Sequence, residues 1–125
     1  MNIAVIDIDN TLWDFSKILH RELSKEYKDI PPVGEWKDWD FWKNYMDSSS
    51  FYRIVHKIHI NQDRYGCYKD ASEFLRKLKS KGYHIIIASH RDHVTIKPTL
   101  RWLKKNGLIY DKLHVSYDKT ILFEY

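Results

Sequence analysis

A chain of 125 residues has room for one hydrophobic core and excludes a multidomain assembly. With 43% hydrophobic and 30% charged residues, it lacks both the composition of a disordered segment and any apolar run near the ~20 residues of a membrane span. Net charge +4 and a pI near 9.1 favour anionic ligands without demanding nucleic acid, because Lys77, Lys79, Lys81, Lys104 and Lys105 fall on expected solvated helix faces. A single cysteine, Cys67, forms no internal disulfide and is expected to be structural. The start at Met1 lacks the basic stretch and cleavage site of a signal peptide, so the cytoplasm is the expected compartment.

Asn2–Asp7 is a short run rich in β-branched residues (Ile3, Val5, Ile6) and predicts a buried strand. Ser16–Asp29 predicts a helix with Ile18, Leu19, Leu23 and Tyr27 on one face, stopped by Pro31 and Pro32. Between Val33 and Asn61, two aromatic and aliphatic stripes predict two short helices that separate near Ser48–Ser50. The first stripe is Trp36, Trp39, Trp42 and Met46; the second is Phe51, Ile54, Val55 and Ile58. Asp70-Ala-Ser-Glu73 has the form of a capping box opening a helix that carries Ala71, Phe74, Leu75 and Leu78, ended by Gly82.

Tyr83–Ser89 predicts a second apolar strand. A helix follows from about Ile96, with Pro98 in its first turn, Leu100 and Leu103 inward, and Asn106-Gly107 at its end. Lys112–Ser116 predicts a third strand, and Thr120–Phe123 the start of a short helix. Strands alternating with helices imply an α/β fold: a Rossmann-like three-layer α/β/α parallel sheet, one domain over residues 1–125. Residues 16–67 are long for a crossover, so part of them is expected to form a small helical cap inserted in that domain. Such a sheet binds ligands beyond the carboxyl ends of its strands, where Asp7, Asp9, Ser89, Arg91 and Lys119 fall.

Three short motifs sit at those ends. Asp7-Ile8-Asp9-Asn10-Thr11 places two carboxylates directly after a hydrophobic strand; paired acids repel, and a bound cation keeps both usable near neutral pH. Ile85-Ile-Ile-Ala-Ser89 ends a strand in a hydroxyl, with Arg91 just beyond it as a guanidinium able to pair with phosphate. Tyr117-Asp-Lys119-Thr supplies a cation after the third strand, with Lys97 as a competing candidate. Two further clusters are ambiguous. His56 and His59 share a helix face as metal ligands or as packed histidines, and Trp36, Trp39 and Trp42 either stack on a nucleobase or form the core of a cap.

Together, the three motifs resemble the haloacid dehalogenase superfamily, whose members are mostly magnesium-dependent phosphatases. The resemblance covers about half the chain. It implies Asp7 as nucleophile and metal ligand, and Asp9 as general acid and base with its backbone carbonyl on the Mg2+. It further implies Thr11, Ser89 and Arg91 as phosphate-positioning residues and Lys119 as the charge-neutralising lysine. Asp118-Lys119-Thr120 is similar to the 5′(3′)-deoxyribonucleotidase branch, whereas Thr11-Leu12-Trp13 is similar to phosphatases acting on proteins or sugars. The acidic motif that a further strand supplies in the family has no counterpart before Tyr125. The expected activity is hydrolysis of a small phosphomonoester, a nucleotide in particular, through an aspartyl-phosphate. The alternatives are a phosphate- or nucleotide-binding domain without turnover, and, from Ser89-His90-Arg91 and the basic pI, a polynucleotide end phosphatase. No membrane partner is expected.

Overall fold

The computed structural model describes residues 1–117; Lys119 and the helix expected at Thr120–Phe123 lie outside the described residues. Three strands, β1 (Asn2–Ile6), β2 (Tyr83–Ser89) and β3 (Lys112–Val115), form a parallel sheet in the order β1-β2-β3. Ala4 pairs with Ile85 and Ile6 with Ile87, while Ser89 pairs with Val115, so all three strands end at the same edge. Four helices connect and flank them: α1 (Phe15–Glu26), α2 (Ser48–Ile60), α3 (Ala71–Ser80) and α4 (Ile96–Lys105). The class is therefore the expected α/β, Rossmann-like fold. Among the described residues no helix is long and apolar enough to cross a membrane.

One buried cluster joins Leu19 and Leu23 of α1, Phe51, Ile54 and Ile58 of α2, Leu75 of α3, Trp102 and Leu103 of α4, and Ile85 and Ile87 of β2. Each fully buried aliphatic side chain here contributes roughly 1.5–3 kcal/mol. Because β1, β2 and β3 succeed one another in one direction, right-handed crossovers bring the connecting helices to one face of the sheet. The alternate residues of β2, Ile86 and Ala88, form a separate small cluster on the other face. On β1, Ile3 remains 53% exposed and Val5 is also exposed, and on the inner face Ala4 and Ile6 are half-buried, so the strand expected to be buried is only partly so.

Local departures from expectation have local causes. Asp14 caps α1, accepting from the Lys17 amide, and Asp47 caps α2, accepting from the Ser50 amide. The tryptophan stripe does not form a helix. Val33–Glu35 is a 3₁₀ turn, and Asp38 bonds the Asp40 amide, so a run of turns replaces the expected first helix. Trp42 stacks on Phe51 at 4.4 Å and Trp36 on Phe41 at 3.8 Å. Asp70 precedes α3 with φ −96° and ψ 2°, away from the extended geometry a capping carboxylate needs, and makes no cap bond. Glu73 pairs instead with Lys77 at 3.1 Å. In α4 the inward residues are Thr99, Trp102 and Leu103; Leu100, expected inward, is exposed. Gly82 and Gly107 end α3 and α4 with positive φ, as their sequence positions predict.

Candidate functional site

The loop after β1 is built to hold two acids at the sheet edge. Ile8 and Leu12 are fully buried and anchor it, and the amides of Thr11 and Leu12 both donate to the Ile8 carbonyl. The tight reversal is made by Asn10 at φ +62°, a conformation Asn tolerates better than most residues. Its side chain secures the turn by accepting from the Ser16 amide and donating to the Ser16 hydroxyl. Asp7 is exposed, with one oxygen accepting from the Ile8 amide at 2.9 Å. Asp9 is turned inward.

The Asp9 carboxylate accepts three hydrogen bonds. Oδ1 takes Trp13 Nε1 at 2.8 Å and Arg91 Nη2 at 2.7 Å; Oδ2 takes His59 Nε2 at 2.9 Å. Burial alone would raise its pKa. The Arg91 charge and the bonds from His59 and Trp13 outweigh burial and hold it at about 2, so Asp9 is ionised. An ionised carboxylate only accepts, and His59 Nε2 therefore carries the proton. His59, 4% exposed, stacks on Phe15 at 5.1 Å, and burial lowers its pKa, with the bond to Asp9 opposing.

Arg91 is the centre of this network. Its side chain is fully buried, donating from Nε to Ser89 Oγ at 2.7 Å, from Nη1 to Gln62 Oε1 and to Thr99 Oγ1 at 3.2 Å, and from Nη2 to Asp9. Of five guanidinium hydrogens, four are thus committed to acceptors among the described residues, and the fifth is on Nη2. Bidentate phosphate binding by Arg91 would require this network to open. Ser89 is likewise buried, its oxygen accepting from Arg91.

A cavity of about 320 Å3 opens at the strand ends. Asp7, Asp9 and Asn10 enter it after β1, His90, Arg91 and Asp92 after β2, and Tyr117 after β3. Phe15, Trp39, Tyr52, Val55, His56 and His59 form the opposite wall. Trp39 is 43% exposed, Tyr52 and Tyr117 are exposed, and His90 meets Tyr117 edge-on at 4.9 Å. Of the three tryptophans, Trp39 alone lines the cavity, while Trp36 and Trp42 pack in stacked pairs. A groove of about 390 Å3 between α1 and α2 is larger, but its charges neutralise one another at the surface, as in Arg53–Glu26 at 3.1 Å and Lys25–Glu22 at 2.9 Å. It brings no buried acid or base to its wall, and the strand-end cavity is the better candidate.

The predicted site residues are only partly gathered. Asp7, Asp9 and Arg91 share the cavity, and Ser89 joins them through Arg91. Thr11, expected beside the phosphate, is exposed and faces a different groove with Tyr68 and Lys69. Lys97 is exposed and does not line the cavity. His56 and His59 do not act as a pair: His56 lines the cavity, and His59 is spent on Asp9. Gln62, Thr99 and Trp13 are network members that sequence reasoning missed.

Among the described residues no group of three or more His, Cys, Asp and Glu side chains is gathered to hold a metal. With both Asp9 carboxylate oxygens taken by three donors, the groups that would hold a cation here are the Asp7 carboxylate, which already accepts from the Ile8 amide, and the Asp9 carbonyl. Magnesium is commonly held by one or two carboxylates, substrate phosphate and water, and this small donor set fits that habit.

No protein-family model matches the chain, and no curated protein matches it. Among solved structures it is similar to a class C acid phosphatase from Bacillus anthracis, determined with tungstate bound, at TM-score 0.55 and 20% identity over 94% of this chain and 41% of that one. It is also similar to a protein assigned as a beta-phosphoglucomutase from Thermotoga maritima, at TM-score 0.50 and 17% identity over 96% of this chain and 64% of that one. The chain therefore spans less than two thirds of either structure. At such identities the likeness shows the fold alone, a Rossmann-like α/β sheet.

Proposed function

We propose that the chain is a magnesium-dependent phosphomonoesterase of the haloacid dehalogenase type, acting on a small phosphorylated compound, with nucleotides the favoured class. The observation that carries this is the meeting of Asp7, Asp9 and Arg91, from the ends of two parallel strands, in one cavity. The resemblance of both solved structures to this fold supports it, since one is an acid phosphatase and the other is assigned to phosphosugar chemistry.

Asp7, exposed at the cavity, attacks phosphorus, forming an O–P bond as the ester P–O bond breaks. The family gives protonation of the leaving oxygen to Asp9, which is ionised here and must first take that proton from water as its bonds to His59 and Arg91 open. Water then cleaves the aspartyl-phosphate, releasing inorganic phosphate and restoring Asp7, with Asp9 as the base. Arg91 holds Asp9 in line and offers its remaining hydrogen to the phosphoryl group, with Ser89 supporting its orientation. Lys119 is the proposed neutralising cation. Magnesium, held by Asp7 and the Asp9 carbonyl, would supply charge stabilisation to the phosphoryl oxygens. The rim of Trp39, Tyr52 and Tyr117 suits a planar group such as a nucleobase. Residues 16–67 are proposed to act as the cap, because α2 and the turns before it supply the wall facing Asp7. Cytoplasmic residence is proposed with it, on the lone cysteine.

Phosphate release from a panel of nucleotides and sugar phosphates with magnesium tests this. The expected result is turnover that Asp7→Asn abolishes; full activity in Asp7→Asn would remove the nucleophile assignment. The commitment of both Asp9 oxygens favours a second reading, a phosphate-binding domain without turnover. Saturable phosphate or tungstate binding with no hydrolysis of any panel member would establish that alternative.

A further inference from the structure

His59, in the last turn of α2, and Gln62, two residues past its end, each reach one half of the same ion pair. His59 Nε2 bonds Asp9 Oδ2, and Gln62 Oε1 accepts from Arg91 Nη1. Both side chains are buried, His59 against Phe15 and Gln62 with no exposure at all. Among the described residues the amide nitrogen of Gln62 has no hydrogen-bond partner. Leaving such a donor buried carries a desolvation penalty, so an apolar residue would suit stability better unless the oxygen facing Arg91 is needed. The other holds on Asp9 and Arg91, from Trp13, Ser89 and Thr99, come from the loop after β1 and from the β2–α4 segment. The end of α2 closes the set from across the cavity.

We propose that His59 is a positioning residue for Asp9, and that the α2 end, through His59 and Gln62, clamps the Asp9–Arg91 pair in working register. This rests on the phosphatase reading for its kinetic consequence but not for its geometry. Asp9 would otherwise be held on Oδ1 alone and be free to swing about that oxygen, misaligning the carboxylate by about an ångström. Displacements of that size cost on the order of 100-fold in rate when they affect a reacting group. A shift of α2 would therefore be felt at Asp9 without any contact between α2 and the phosphoryl group.

Three variants and a spectrum test the clamp. His59→Phe keeps the ring on Phe15 and removes the donor. The expected result is a fall in kcat of about 10–100-fold with KM within about 3-fold. His59→Gln, which places an amide N–H where Nε2 stood, is expected to recover to within about 5-fold of the wild-type kcat. A role in packing alone would give the opposite order, with Phe nearly silent and Gln damaging. In imidazole ¹⁵N spectra of the full chain, the protonated Nε2 signal of His59 is expected to move in Asp9→Asn and to stay in place in Asp7→Asn. Should the wild-type chain hydrolyse nothing, the phosphatase reading falls and the spectrum decides the clamp. A His59 signal indifferent to Asp9→Asn, or an unchanged kcat in His59→Phe, would overturn the proposal.

Discussion

Arg91→Met gives the most informative single perturbation. The guanidinium is fully buried, pairs with Asp9 at 2.7 Å and feeds acceptors on Ser89, Gln62 and Thr99. Removing one partner of a buried ion pair leaves the other charged and unsolvated, at a cost of about 3–5 kcal/mol. Against a total stability of roughly 5–15 kcal/mol for a domain of this size, that is a large fraction. For 125 residues it corresponds to a fall in Tm on the order of 10–20 °C. Urea denaturation followed by circular dichroism measures it. Arg91→Lys retains the charge but not the planar fork, and is expected to fall between wild type and Arg91→Met. The double variant Asp9→Asn with Arg91→Met is expected to lose clearly less than the sum of the singles, because they share one interaction. If Arg91→Met unfolds within about 0.5 kcal/mol of wild type while tungstate binding collapses, the guanidinium serves the ligand and not Asp9, and the network described above is wrong.

Three other outcomes are expected. The depressed pKa of Asp9, at about 2 against an ordinary 3.8, means the unfolded chain takes up its proton first. That contribution, on the order of 2 kcal/mol, is full above the ordinary value and is lost as pH falls through the folded one. His59, also depressed, adds a loss of stability that begins as pH drops below its ordinary 6.5. Unfolding free energy measured from pH 7 to pH 3 should therefore decline, with a shallower acid limb in Asp9→Asn; equal slopes would contradict it. Trp39→Ala should raise KM for phosphates bearing a planar group about 5–50-fold and leave inhibition by inorganic phosphate unchanged, measured by steady-state kinetics. Chelation of divalent ions should abolish phosphate release, and calorimetry should find weaker magnesium binding in Asp7→Asn.

Much of the frame was legible because its signals are local. The apolar runs at residues 2–7 and 83–89 and the glycines at 82 and 107 mark strands and helix ends by backbone preference alone, and the strands carry Asp7, Asp9 and Arg91 to one edge. The tryptophan stripe misled because Asp38, whose side chain accepts from the Asp40 amide and forms a turn, interrupts it; spacing alone does not register this. Asp70 and Glu73 match the letters of a capping box, yet a box needs an extended first residue, and Asp70 is not extended. His59 had a signal of its own. It sits within the buried run Phe51, Ile54, Val55 and Ile58, where an imidazole must find a partner, and topology then points to the acids after β1. Gln62 and Thr99 carry no such signal; their role depends on where Arg91 folds in three dimensions. Arg91 does reach the strand-end cavity, but its burial and its four protein acceptors are tertiary facts.

The claim at the centre of this account is that Asp7 carries the phosphoryl group. Acid-quenched reaction mixtures of the full chain with magnesium and a hydrolysed substrate, digested and examined by mass spectrometry, address it directly. A hydroxylamine-sensitive phosphoryl group on the peptide containing Asp7, absent in Asp7→Asn, is the expected result. Turnover with Asp7 unmodified, or undiminished in Asp7→Asn, would contradict it.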